Sequence, residues 1–182
     1  MPTERSHARI FTSFGALIFL VALASPSGYL GDISTSYMLK NRLHASAAEV
    51  SNFRLLTAIP VYLAFAFGLI RDRWNPFGLR DRGYLLIFAP ITAIGYAWLA
   101  WQKLSFGELL VGMLVVQLSV RLIVAAYQGL LSLIGKEQLM SGRLVTLWQI
   151  VAYIPAVVAA FASGYAARYL GPRHTYEMLA GL

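Results

Sequence analysis

The chain has 182 residues, 58% of them hydrophobic and only 13% charged, with a formal net charge of +7 and a mean hydropathy of +0.63. Soluble domains carry roughly 25% charged residues, so this composition excludes an ordinary soluble enzyme, a disordered chain and a coiled coil, and indicates a polytopic membrane protein. Cysteine is absent, which excludes a disulfide scaffold, a Cys-ligated zinc site, an iron–sulfur cluster and thiol catalysis. With His7, His44 and His174 far apart, no metal site or cofactor is expected.

Met1 to Arg9 is a short polar start, followed by an apolar run too long for the core of a cleavable signal peptide, so it reads as a retained anchor. Five apolar runs follow at about 10–38, 47–70, 84–101, 106–134 and 144–167. Each approaches or exceeds the roughly 20 residues that cross a hydrocarbon core of ~30 Å. Backbone groups in lipid must satisfy one another, and alternation of period two is missing, so helices are predicted rather than a barrel. A sixth run begins near residue 175, and the chain reads as the N-terminal part of something longer. The fold class expected is an all-α membrane protein with five complete transmembrane helices and the start of a sixth.

Twelve of the 15 basic residues are arginine. Most lie in short loops between apolar runs, where they set orientation rather than bind nucleic acid. With the N-terminus in the cytoplasm, Arg5, Arg9, Arg71, Arg73, Arg80, Arg82, Lys136 and Arg143 fall inside. Lys40, Arg42, Lys103, Arg168 and Arg173 then fall outside. The densest cluster, Arg71 to Arg82, supports this orientation in an inner or plasma membrane.

Ionisable residues at membrane depth are costly and usually face a cavity or a partner. Asp32, Arg54 and Arg121 occupy such positions. On an ideal helix Gln117, Arg121, Gln128 and Ser132 share one narrow arc of the fourth run, and Ser25, Tyr29, Asp32 and Ser36 share one of the first. Each stripe suits either a wet, solute-facing surface or an interhelical hydrogen-bond network. Pro26 and Gly28 interrupt the first helix and free a carbonyl there. Asp32 and Arg54 lie at matched depth, about 10 Å from the outer ends of their helices. They suit an ion pair, with snorkelling of Arg54 to the headgroups as the alternative. Gln149 and Tyr153 of the fifth run are candidate cavity contacts. The third run has no ionisable residue, and Thr92 is its one small polar group, so it is expected to lie outside the polar helices.

The loop after the second run reads Gly68-Leu-Ile-Arg71-Asp72-Arg73-Trp-Asn-Pro-Phe-Gly78-Leu-Arg80-Asp81-Arg82-Gly-Tyr84. Asp72 sits at a helix C-terminus, where the macrodipole disfavours a carboxylate, so a partner is expected among the adjacent arginines or at another helix N-terminus. Gly68 is read as permitting close helix approach, and Pro76 with Gly78 as making the turn.

This loop resembles that between helices two and three of the major facilitator superfamily, Gly-x-x-x-Asp-Arg followed by Gly-x-Arg-x-Arg. Trp74 to Phe77 lengthen the gap and Asp81 interrupts the basic run. The longer gap, with Arg-Asp-Arg-Gly-Tyr-Leu following, is similar to the folate–biopterin transporter branch. Arg121 and Ser141-Gly142-Arg143 also resemble superfamily positions. The resemblance implies the N-terminal six-helix bundle of a twelve-helix transporter, with helices one and four lining a central cavity and helix three peripheral.

It further implies secondary active transport of a small solute by alternating access, coupled to a proton or sodium. The pathway residues are then Asp32, Arg121, Gln117, Gln128, Tyr29, Ser25, Arg54, Gln149 and Tyr153. Gly68, Asp72, Arg73, Gly78, Arg80 and Arg82 form a conformational latch. The expected partners are the lipid bilayer, the solute, the coupling ion and a missing C-terminal half or second copy. A non-transporting membrane protein of the same fold, such as an assembly or pigment-delivery factor, is the alternative. No enzymatic constellation is present at depth.

Overall fold

The computed structural model describes residues 4–26, 29–101, 104–137, 141–169 and 171–182. Among the described residues the regular structure is helical throughout: α1 (Glu4–Leu23), α2 (Tyr29–Tyr37), α3 (Ala47–Tyr62), α4 (Ala64–Arg73), α5 (Asp81–Trp101), α6 (Phe106–Glu137), α7 (Ser141–Tyr169) and α8 (Gly171–Ala180). Two described helices, at Asp81–Trp101 and Phe106–Lys136, are long and apolar enough to cross a membrane. The α3–α4 pair makes a third if its 41° bend lies within one span.

The breaks have local causes. The first run divides into α1 and α2 around Pro26, which has no N–H to continue the ladder. Gly31 passes so close beneath this break that a Cβ there would lie 2.8 Å from the Pro26 carbonyl oxygen. The predicted interruption at Pro26 is present; Gly28 lies outside the described residues. A π-helical turn at Met38–Arg42 ends the segment. The α3–α4 bend follows Pro60, whose ring removes another ladder hydrogen bond.

Reciprocal capping boxes start α3 and α6. Ser46 Oγ accepts from the Glu49 amide while Glu49 accepts from the Ser46 amide at 2.8 Å. Ser105 and Glu108 repeat the arrangement, with the Ser105 amide donating at 2.7 Å.

Helix α6 is central: α3, α4, α5 and α7 all pack on it. Helices α1 and α2 pack on α7, and α8 closes against α5 and α2. One core gathers Phe53, Tyr96, Leu99, Met113, Val116, Tyr176 and Leu179; a second gathers Ile18, Tyr127, Leu131 and Leu144. Leu55, Phe65, Leu86, Ile94, Trp101, Val157 and Phe161 point outward on several helices. That much exposed apolar surface suits acyl chains and not water.

The third run is not apolar all round. Its outer face carries Leu86 and Ile94, whereas its inner face buries Tyr84, Thr92 and Tyr96. The Tyr96 hydroxyl donates to the Ala24 carbonyl at 2.7 Å, so a backbone carbonyl beside the break has a partner on α5.

Candidate functional site

A cleft of about 250 Å3 opens between residues of α2, α3 and α6. Its polar lining is Asp32, Thr35, Ser36, Arg54, Thr57 and Gln117; Leu39, Phe53, Val61 and Met113 supply apolar wall. The break at Pro26 sets α2 off from α1 and brings Asp32 to this opening.

Asp32 and Arg54 meet there. Arg54 Nη2 lies 3.3 Å from Asp32 Oδ2 and donates to Ser36 Oγ at 3.0 Å. The contact is single and long, and the two side chains remain 57% and 51% exposed. Arg54 therefore reaches inward across the cleft instead of snorkelling away from it. Thr57, one turn on, also lines the cleft, and its hydroxyl donates to the Phe53 carbonyl at 2.9 Å.

Beneath the pair, Thr35 donates to the Gly31 carbonyl at 2.8 Å and accepts from the Tyr176 hydroxyl at 2.9 Å. Tyr176 in turn stacks on Tyr96, with centroids 6.3 Å apart. Two buried tyrosines thus hold both sides of the first-helix break, one at Ala24 and one at Thr35.

The other pathway candidates are distributed differently. Gln117 is buried at the cleft floor. Arg121 is half-buried and its Nε has no hydrogen-bond partner among the described residues, but it does not line this cleft. Gln128 is exposed and borders a separate cavity of about 330 Å3 with Ser132, Lys136 and Trp148. Gln149 and Tyr153 are exposed on α7, away from the cleft lining. Ser25 sits beside the break, outside the lining. The side chain of Tyr29 lies outside the described residues. The arc of Gln117, Arg121, Gln128 and Ser132 is therefore one stripe but not one site. Its ends are about 22 Å apart along the axis at ~1.5 Å per residue.

At the other end of α3–α4 the loop is ordered by a different pair from the one the sequence suggests. Arg71 forks onto Asp81, with Nε–Oδ1 at 2.5 Å and Nη2–Oδ2 at 3.0 Å. Asp81 is only 8% exposed. It also occupies the first turn of α5, where the helix dipole favours a carboxylate. Asp72 does find an adjacent arginine, Arg71 Nη1 at 3.3 Å, but stays 68% exposed. So Asp81, which breaks the basic run in the sequence, is the loop's main acceptor.

The Arg71 guanidinium lies against Gly129 of α6, where a Cβ would overlap it. At Gly68, by contrast, a Cβ would meet nothing within 4 Å. The close approach expected at Gly68 occurs at Gly129 and at Gly83, which packs under the Pro76 carbonyl. Pro76 to Gly78 form a single tight turn, as expected, with Gly78 at φ +68°. Phe77 and Arg80 also take positive φ, and the Arg80 amide donates to Asn75 Oδ1 at 2.6 Å. The Tyr84 hydroxyl donates to the Trp74 carbonyl at 2.7 Å and ties the loop to α5. Arg73 and Arg82 point to the surface, as does Arg80.

The model of the BT1 family matches residues 28–182, which includes the broken helix, the cleft and the Arg71–Asp81 loop. The chain belongs to the BT1 family, the folate–biopterin transporter branch. Among curated proteins it is similar to folate transporter 2 of Plasmodium falciparum (isolate 3D7), 27% identical over 89 residues, or 49% of this chain and 20% of that protein. It is also similar to a candidate folate transporter 2 of Plasmodium berghei (strain Anka), 23% identical over 151 residues, or 82% of this chain and 33% of that protein. The chain thus spans a third or less of the curated relatives it matches. No solved structure matches it. Family membership and the apolar helix surfaces together make this an integral membrane protein of a transporter family.

Proposed function

We propose that this chain forms the N-terminal part of a secondary transporter that moves a folate-like solute by alternating access. The observation that carries the reading is the Asp32–Arg54 pair facing an open cleft between helices of an integral membrane protein. Two charges held at depth by one long contact are costly as mere glue and useful as a binding surface. The transporter names of the two relatives supply the solute class.

In this proposal the five apolar runs each span the membrane, α8 opens a sixth span, and the N-terminus is cytoplasmic. Asp32, Ser36, Arg54 and Gln117 contact solute, and Asp32 carries the coupling proton. Arg121, half-buried on the same helix as Gln117, serves the pathway deeper along α6. Tyr29 and Ser25 flank the break, and Gln149 and Tyr153 meet the solute only when a second half or a second copy faces α7. The loop of Gly68, Asp72, Arg73, Gly78, Arg80 and Arg82 acts as the latch, with Arg71 and Asp81 holding its shape so that exposed Asp72 and the arginines can engage the facing half.

The test is uptake of radiolabelled folate by the full-length gene product in proteoliposomes, with and without a pH gradient. Gradient-stimulated uptake, lost in Arg54→Ala and uncoupled from the gradient in Asp32→Asn, is the expected result. Absence of uptake by correctly inserted wild-type protein would refute the proposal.

A further inference from the structure

The loop between α4 and α5 carries more positive charge than its own carboxylates can match. The segment from Arg71 to Arg82 holds four arginines against two aspartates. Arg71 is taken up by Asp81 and Asp72. Arg73, Arg80 and Arg82 are exposed, and their guanidinium groups make no ion pair among the described residues.

Two of these arginines end outward apolar faces. On α5 the exposed residues Arg82, Leu86, Pro90, Ile94 and Trp98 follow in steps of four, and exposed Trp101 closes the far end. From Arg82 to Trp101 the helix rises about 28 Å at ~1.5 Å per residue, close to the ~30 Å of a hydrocarbon core. With tryptophans at one boundary of the bilayer, Arg82 stands at the other, level with the headgroups. On α4, Arg73 lies one turn beyond Leu69 and Ile70, which are both exposed.

The turn joining these helices presents aromatic rings at the same level. Trp74 packs edge-on against Tyr84 and Phe88, with centroids 5.4 and 6.3 Å away, and so ties the end of α4 to the start of α5. It remains 46% exposed. Phe77 is 76% exposed and sits at φ +59°, a left-handed conformation that is costly for a bulky side chain. In water that position favours Gly or Asn; at a bilayer boundary the ring has acyl chains to enter.

We propose that Arg73 and Arg82, with Trp74 and Phe77 between them in the chain, form a docking surface for anionic phospholipids. The guanidinium groups take headgroup phosphates through charge-assisted hydrogen bonds, and the rings pack on the upper acyl chains. A net negative headgroup such as phosphatidylglycerol fits the surplus of positive charge. A zwitterionic one brings an ammonium that the same arginines repel. Arg80 instead lines a cavity with Asp72, Asn75 and Leu133. The bilayer thus takes Arg73 and Arg82, and Arg80 with Asp72 stays with the latch proposed above.

The test is native mass spectrometry of the full-length protein in detergent, titrated with an equimolar mixture of phosphatidylglycerol and phosphatidylcholine. Wild type is expected to retain phosphatidylglycerol in preference. Arg73→Gln and Arg82→Gln are each expected to lower that preference about fivefold, the scale of one basic residue at an anionic surface. The double variant Arg73→Lys with Arg82→Lys keeps the charge, is expected to keep most of the preference, and serves as the folded control by its size-exclusion profile. Arg42→Gln, an exposed arginine at the other end of the α3–α4 pair, is expected to leave the preference unchanged. Equal retention of the two lipids by wild type, or an equal fall with Arg42→Gln, would overturn the inference. So would full preference in the double Gln variant, even with uptake reduced, because that result gives both arginines to the facing half.

Discussion

The seat of Arg71 on α6 offers the sharpest mechanical test. Gly129 and Gly68 are both helical glycines, and on propensity alone Ala should improve each by up to about 1 kcal/mol. At Gly68 a methyl enters open space, so that gain should appear. At Gly129 a methyl overlaps the Arg71 guanidinium, which is held in place by its fork on Asp81. The arginine must withdraw, and at least one of the two charge-assisted bonds is lost, at about 1.5–3 kcal/mol. Setting this against the gain in propensity, Gly129→Ala should destabilise by about 0.5–2 kcal/mol, and the two variants should differ by about 1.5–3 kcal/mol. The assay is intrinsic-fluorescence thermal unfolding of the full-length protein in detergent, with both variants measured beside wild type. Because the methyl acts through the Arg71–Asp81 fork, Asp81→Asn should cost much less in the Gly129→Ala background than in wild type. Gly129→Ala as stable as Gly68→Ala, or strict additivity with Asp81→Asn, would refute the reasoning.

Other expectations follow from the same geometry. Tyr96→Phe removes the donor to the Ala24 carbonyl in an apolar interior and should lower stability by about 1–3 kcal/mol, read by the same unfolding assay; an unchanged midpoint would show that the break needs no clamp. Asp81→Asn should destabilise clearly, whereas Asp72→Asn, with its exposed carboxylate, should stay within about 0.5 kcal/mol of wild type. Ser46→Ala and Ser105→Ala should each cost about 0.5–2 kcal/mol, and equal or greater stability of both would argue that the capping boxes are idle. In uptake assays, Asp32→Asn with Arg54→Gln should lose less than the product of the single losses, because the first substitution already removes the contact that the second breaks.

What could be read without coordinates was whatever depends on local rules. The helical character of the apolar runs, the loss of a donor at Pro26 and the turn at Pro76-Phe77-Gly78 act within a few residues, and all three are present among the described residues. Five runs long enough to span are not, since two described helices, or three with the bent pair, are long and apolar enough. Matched depth made the Asp32–Arg54 pair one of two sequence alternatives, the other being snorkelling of Arg54, and the 3.3 Å contact decides for the pair. The capping signatures Ser46-x-x-Glu49 and Ser105-x-x-Glu108 were available in the chain as signals for the starts of α3 and α6. Asp81 could have been recognised by its place at a helix start, where a carboxylate is favoured.

The rest belonged to the tertiary structure. A helical wheel reports angle and discards height, so it could not separate Gln117 in the cleft from Gln128 near the far end of the same helix. Nothing in the spacing of Tyr96 or Tyr176 announces that their hydroxyls hold the two sides of a break lying 72 and 141 residues away in the chain. Composition and periodicity determined that this protein lives in a membrane as helices, because the energy of unsatisfied backbone in lipid is set residue by residue. Which glycine makes room for an arginine, and which carboxylate that arginine chooses, were decided only when α4, α5 and α6 came together. Steric exclusion and short-range charge pairing act between neighbours in space, whatever their order along the chain.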